Sequence, residues 1–190
     1  MSLRNDRVLF VPWNRNQAGS FATEHTEEDR QRSHHKRKWT VVCLDSPGKP
    51  LAKVGVGIGT RIHVVGHGAI GDPEIAADHG TGGADKSYQE VVDAMFAQGL
   101  KKRYIGTVAC DICYSALGKP SFAKMLAKEL FSRGVRASCV LGYKGPLYST
   151  YDDFYADGSD MGGKYGHRMV ELDGVEVKSR KAQERFFGWT

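Results

Sequence analysis

Between residues 61 and 143 three apolar runs alternate with two stretches of helical periodicity, and that alternation restricts the fold more than any other feature of the chain. RIHVVG (61–66), RYIGTVAC (103–110) and VRASCVLGY (135–143) are short and rich in β-branched residues, as strands buried in a sheet are. In SYQEVVDAMFAQG, Tyr88, Val91, Val92, Met95 and Phe96 recur at i, i+3, i+4, i+7 and i+8; Ser87 and Glu90 are spaced as a capping box, and Gly99 can end the helix. PSFAKMLAKELFSRG places Phe122, Met125, Leu126 and Leu130 on one face, with Pro120 suited to a first helical turn and Gly134 as a stop. Strand, helix, strand, helix, strand predicts right-handed crossovers and a parallel α/β sheet. RVLFVPW (7–13) and KWTVVCLD (38–45) add two strands to it.

With 190 residues, 41% hydrophobic and 26% charged, the chain fits a single domain over 1–190. A polar segment at 14–37 is expected to be a surface loop, and 145–190 a C-terminal flap: HRMVELDGVEVK has an Asp173-Gly174 turn between alternating runs, and RFFGWT can supply a last strand. In KVGVGIGTR the glycines precede a strand, whereas a dinucleotide fingerprint needs them after one, so they predict a turn. No apolar run approaches the roughly 20 residues of a membrane span, and the N-terminus lacks the apolar core of a signal peptide. Of four cysteines, Cys43 and Cys139 fall in strand runs as small hydrophobes, which points to a reducing compartment without disulfides. The expected location is the cytoplasm, or a target-cell cytosol reached by specialised secretion.

Chemistry concentrates at two strand ends. His67 stands between Gly66 and Gly68 directly after one buried strand, and Cys110 closes the next, 43 residues later. In an open parallel sheet, ligands bind at the carboxyl ends of the strands, so both side chains are expected at one edge. A G-x-S-x-G nucleophile elbow is excluded because the residue between the glycines is histidine.

An apolar strand followed by His-Gly, a helix, and an apolar strand followed by a small residue and Cys resembles the caspase-like (clan CD) cysteine peptidases. RIHVVGHG and IGTVACDICYS are most similar to the self-processing cysteine protease domains of bacterial RTX and large clostridial toxins. The similarity covers residues 55–145. It implies a caspase-like three-layer α/β domain with a mostly parallel central sheet and a C-terminal antiparallel hairpin flap. It further implies a polypeptide substrate, from the same or another chain, and an acyl-enzyme thioester, with no cofactor needed for the chemistry. Cys110 would be the nucleophile, His67 the general acid and base, and the N–H groups of Gly68 and Cys110 the oxyanion hole. Inositol hexakisphosphate, the activator of the toxin domains, would bind Arg168, Lys178, Arg180 and Lys181. Around the cysteine, Val108-Ala109-Cys110-Asp111-Ile112 departs from the caspase Q-A-C-[RQG]-G, so cleavage after aspartate does not carry over.

Other readings compete. Cys110 and Cys113 form a C-x-x-C that, with His63, His67 or His79, would supply zinc ligands, although only one such pair exists and H-x-E and P-C-x-x-C are absent. Cys113 is the second choice of nucleophile, and His167 a papain-like alternative to His67. The net charge of +5 and the run RQRSHHKRK (30–38), with five Lys/Arg and no acid, fit a polyanion site, including that of a catalytically silent caspase-like module. Aromatics are not interleaved with these bases, which disfavours nucleic acid.

Overall fold

A computed structural model describes residues 7–22, 39–55, 59–136, 138–149 and 168–189. In chain order the strands are β1 (Arg7–Val11), β2 (Trp39–Cys43), β3 (Arg61–Val65), β4 (Glu74–Ile75), β5 (Lys86–Ser87), β6 (Thr107–Asp111), β7 (Cys139–Tyr143), β8 (Leu147–Ser149), β9 (Arg168–Leu172), β10 (Val175–Lys178) and β11 (Gln183–Phe186). Two helices are described, α1 (Tyr88–Ala97) and α2 (Phe122–Ser132).

The central sheet has the order β11-β7-β6-β3-β1-β2. Its first five strands in sequence run parallel, and β11 closes the β7 edge antiparallel. This is the expected mostly parallel α/β sheet, compatible with a caspase-like layout. Of the three expected layers, the sheet and one helical layer are described: α1 and α2 pack against each other, with Val91, Val92, Met95, Leu126 and Leu130 in the main core.

Local chemistry explains the helix bounds. Ser87 Oγ accepts the Glu90 N–H while the Glu90 carboxylate accepts the Ser87 N–H, the reciprocal box expected from the sequence. Gly99 and Gly134 end α1 and α2 with φ of 92° and 96°, left-handed values that glycine adopts without a Cβ penalty. Ser121, not Pro120, is the N-cap of α2, so Pro120 precedes the helix rather than sitting in its first turn.

The strand expected at 103–110 starts four residues later and ends one later. Tyr104 is buried and its hydroxyl donates to Thr107 O (2.9 Å), which holds 101–106 as a turn ahead of β6. At the other end Asp111 belongs to the sheet, paired with Val65.

The C-terminal hairpin is present. Asp173 (φ 51°) and Gly174 (φ 77°) join β9 to β10, and β8 adds a third strand in the order β10-β9-β8. This small sheet is tied to the main one by a second apolar cluster of Tyr143, Val170 and Ala182. The first part of the expected 14–37 loop is packed: Ala18 is buried and Phe21 lies against the core. Residues 23–37 of that loop, the basic run 30–38 and His167 lie outside the described residues. Among the described residues no helix is long and apolar enough to cross a membrane.

Candidate active site

Side chains alternate between the faces of a strand, so the β3–β6 register decides which groups meet. Val64 stands opposite Cys110, and Val65 opposite Asp111. His63 Nδ1 lies 2.7 Å from Asp111 Oδ2, which fixes His63, Val65 and Asp111 on one face and Val64 and Cys110 on the other. The Cys110 face is the helical one: on β7, continuing the Ala109–Leu141 pairing brings Gly142 level with Cys110, and a Cβ there would come within 2.7 Å of Ala123 Cβ in α2.

Cys110 is therefore a core residue, 0% exposed. Burial, with the neighbouring Asp111 charge adding to it, pushes its thiol well above the ordinary cysteine range, so the sulfur stays protonated and out of reach of a substrate. Burial therefore weighs against the expected role of Cys110 as nucleophile. The physical reason is the extra residue of β6, which moves the end of the strand to Asp111.

Two residues beyond Val65, the end of β3, is His67, and two beyond Asp111, the end of β6, is Cys113. Cys113 is only partly buried, and its Sγ accepts the Leu147 N–H at the start of β8 (3.2 Å). The residue after it, Tyr114, has φ 56°, a left-handed conformation uncommon for a non-glycine residue, and turns the chain sharply. Ser115 locks that turn from inside: its hydroxyl donates to Cys110 O (3.3 Å) and accepts the Tyr143 N–H (3.0 Å).

The loops after β3 and β6 are pressed together at Gly68. A Cβ there would collide with Ile112 Cγ2 and approach Cys113 O to 2.8 Å. Neither the Gly68 N–H nor the Cys113 N–H donates to an acceptor among the described residues. Gly68→Ala is expected to force the loops apart, cutting any reaction at Cys113 by about 10²-fold for a stability loss of about 1–3 kcal/mol; turnover and thermal melting would check both.

His67 sits between rings, with Phe21 at 5.0 Å and His79 stacked at 4.7 Å between centroids. Its Nε2 lies 3.6 Å from Asp78 Oδ1. Beneath, the His63–Asp111 pair continues through Tyr143 Oη, 3.4 Å from Asp111 Oδ1, to Gln183 Nε2, which donates to Tyr143 Oη at 3.1 Å. This buried chain of polar groups spans β3, β6, β7 and β11.

The zinc alternative fails on the same geometry. Cys110 is fully buried while Cys113 is only partly so, His63 is engaged with Asp111, and among the described residues no cluster of three or more His, Cys, Asp or Glu can hold a metal. Lys178, Arg180 and Lys181 are exposed where β10 runs into the 3-10 turn Ser179–Lys181; Arg168 begins β9. Asp111 and Asp78 were not singled out in the sequence. The former had a signal: Asp111 and Cys113 are two apart, as are Val65 and His67.

The fold and site define an α/β protein with a histidine loop and a cysteine loop at the carboxyl edge of a parallel sheet. Compared with known proteins, the chain matches no family model and none of the curated sequences.

Proposed function

We propose that this protein is a cysteine endopeptidase of the caspase-like type, with Cys113 as nucleophile and His67 as general acid and base. The observation that carries the reading is the packing of Gly68 against the Ile112 side chain and the Cys113 carbonyl, which brings the loop of His67, two residues past β3, beside the turn of Cys113, two residues past β6. His67 takes the thiol proton as sulfur attacks the scissile carbonyl, and the oxyanion is held by the Gly68 and Cys113 N–H groups. Collapse breaks the C–N bond, with the imidazolium protonating the leaving amine. Water activated by His67 then hydrolyses the thioester and restores the thiol.

An extended peptide has a place to bind. β8 pairs with β9 on one side, and on its other side no strand is described. There Leu147 presents its N–H (3.2 Å) and C=O (3.7 Å) to Cys113 Sγ, so a chain added along that edge passes the sulfur.

The test is cleavage of a proteome-derived peptide library, read by mass spectrometry with and without inositol hexakisphosphate. The toxin resemblance assigns that polyanion to Arg168, Lys178, Arg180 and Lys181, of which the last three are exposed on the flap. If it is an activator, it raises cleavage, and the triple substitution Lys178→Ala/Arg180→Ala/Lys181→Ala weakens its half-saturation at least about tenfold, in a salt-dependent way. Binding without cleavage under any condition would support instead the silent, polyanion-binding reading.

A further inference from the structure

We infer that Asp78 is the positioning residue for His67, holding the Nε2 edge of the imidazole so that Nδ1 is the nitrogen that exchanges a proton with Cys113. The role of that proton rests on the peptidase reading above; the orientation of the ring does not.

The starting observation is an orphaned atom. Although His67 is partly exposed, with 41% of its side chain accessible, its Nε2 is sealed from solvent and has no hydrogen-bond partner among the described residues. Buried polar atoms are seldom left so, and Asp78 Oδ1 stands 3.6 Å away. That separation is longer than a hydrogen bond. The contact strengthens when the ring gains a second proton, and catalytic contacts of this kind commonly shorten once substrate is bound.

The carboxylate is itself held in place. Its Oδ2 accepts the Ser20 N–H (2.6 Å) and its Oδ1 accepts the His79 N–H (2.9 Å). The approach of Ser20 depends on Gly19, at φ 52°, where a Cβ would collide with Asp78 Oδ2 and come within 2.8 Å of Asp78 Cβ. Thr81 Oγ1 caps Asp78 O (2.7 Å), and further along the same loop Trp13 Nε1 donates to Ala84 O (2.8 Å). Burial acts to raise the Asp78 carboxyl, but the Ser20 and His79 donors together with His67 outweigh it and leave the group below its ordinary range, hence ionised at neutral pH. With Phe21 and His79 fixing the ring plane, a carboxylate on one nitrogen selects the tautomer protonated there and leaves the other as the base.

Two-bond proton–nitrogen NMR correlations on the full chain labelled with 15N-histidine, at alkaline pH where imidazole is neutral, read this directly, with His67→Gln assigning the signal. The expected result is the Nε2–H tautomer in the native protein, a tautomer mixture in Asp78→Ala, and recovery in Asp78→Glu, which also serves as the variant that keeps the charge if Asp78→Ala is poorly folded. On the best peptide from the library, Asp78→Ala is expected to lower kcat about 10²-fold with KM within about twofold. An Nδ1–H tautomer in the native protein, or an Nε2–H tautomer undisturbed in Asp78→Ala, overturns the inference. The Nε2–H tautomer lost in Asp78→Ala supports it even if the native protein cleaves no peptide, a result that would count against the peptidase reading alone.

Discussion

Cys113→Ala is expected to lower peptide cleavage by roughly 10⁴-fold or more, the scale of deleting a covalent nucleophile, whereas Cys110→Ala should leave kcat within a few fold. The two residues are three apart in sequence, yet one is inside the strand and fully buried and the other in the turn beyond it and only partly buried. Cys110 faces α2 and is shut in the core, its thiol held neutral by burial. Cys113 lies past the last sheet residue, with sulfur against the β8 backbone and the histidine loop across from it. Replacing Cys110 removes a buried sulfur and costs about 1 kcal/mol of stability, visible in a thermal melt and not in turnover. An alkylating peptide probe read by mass spectrometry provides a second check: Cys113 should label in the native protein and Cys110 only after unfolding. The opposite pattern, activity lost with Cys110→Ala and labelling at Cys110, would return the nucleophile to β6 and require its end to be rebuilt.

The difficulty in placing the nucleophile from sequence was one of strand ends. The alternation of strands and helices was legible because α1 and α2 carry strong 3.6-residue periodicity and glycine stops, and the Asp173-Gly174 turn announced the flap hairpin. His67 stood out by its glycines, whereas the packing of Gly68 on Ile112 and Cys113 had no local signal. The apolar run ends at Cys110, but the strand includes Asp111. Asp111 extends the strand because His63, from the neighbouring strand, meets its carboxylate inside the protein. That pairing is between residues 48 apart, and no local pattern reports it. With Asp111 in the strand, Cys110 is an interior strand residue and Cys113 the cysteine in the turn that follows. Asp78 was invisible for a different reason: it lies in a loop whose shape depends on Gly19 and Ser20 from the distant 14–22 segment.

Asp111→Ala is expected to destabilise the protein by about 3–5 kcal/mol, a fall in melting temperature of roughly 10 °C or more for a chain of this size. The side chain is only 2% exposed and that of its partner His63 8%, so truncation removes the 2.7 Å contact of a buried imidazole and the group facing Tyr143 Oη. Asp111→Asn keeps the volume and an acceptor and should cost less. The decisive variant is the double replacement His63→Phe/Asp111→Leu. If the pair served only to fill the core, two apolar side chains would restore both stability and activity, because replacing both partners of a buried polar contact by apolar groups of similar shape can be nearly neutral. The structure favours a different outcome. Asp111 is the residue at which the sheet ends and the turn carrying Cys113 begins, and through Tyr143 and Gln183 it ties that point to β7 and β11. Much of the melting temperature should therefore return in the double variant while cleavage stays depressed, since apolar packing can refill the space without fixing where the strand stops. Recovery of both would reduce the pair to core filling and leave the Ser115 bonds alone to hold the Cys113 turn.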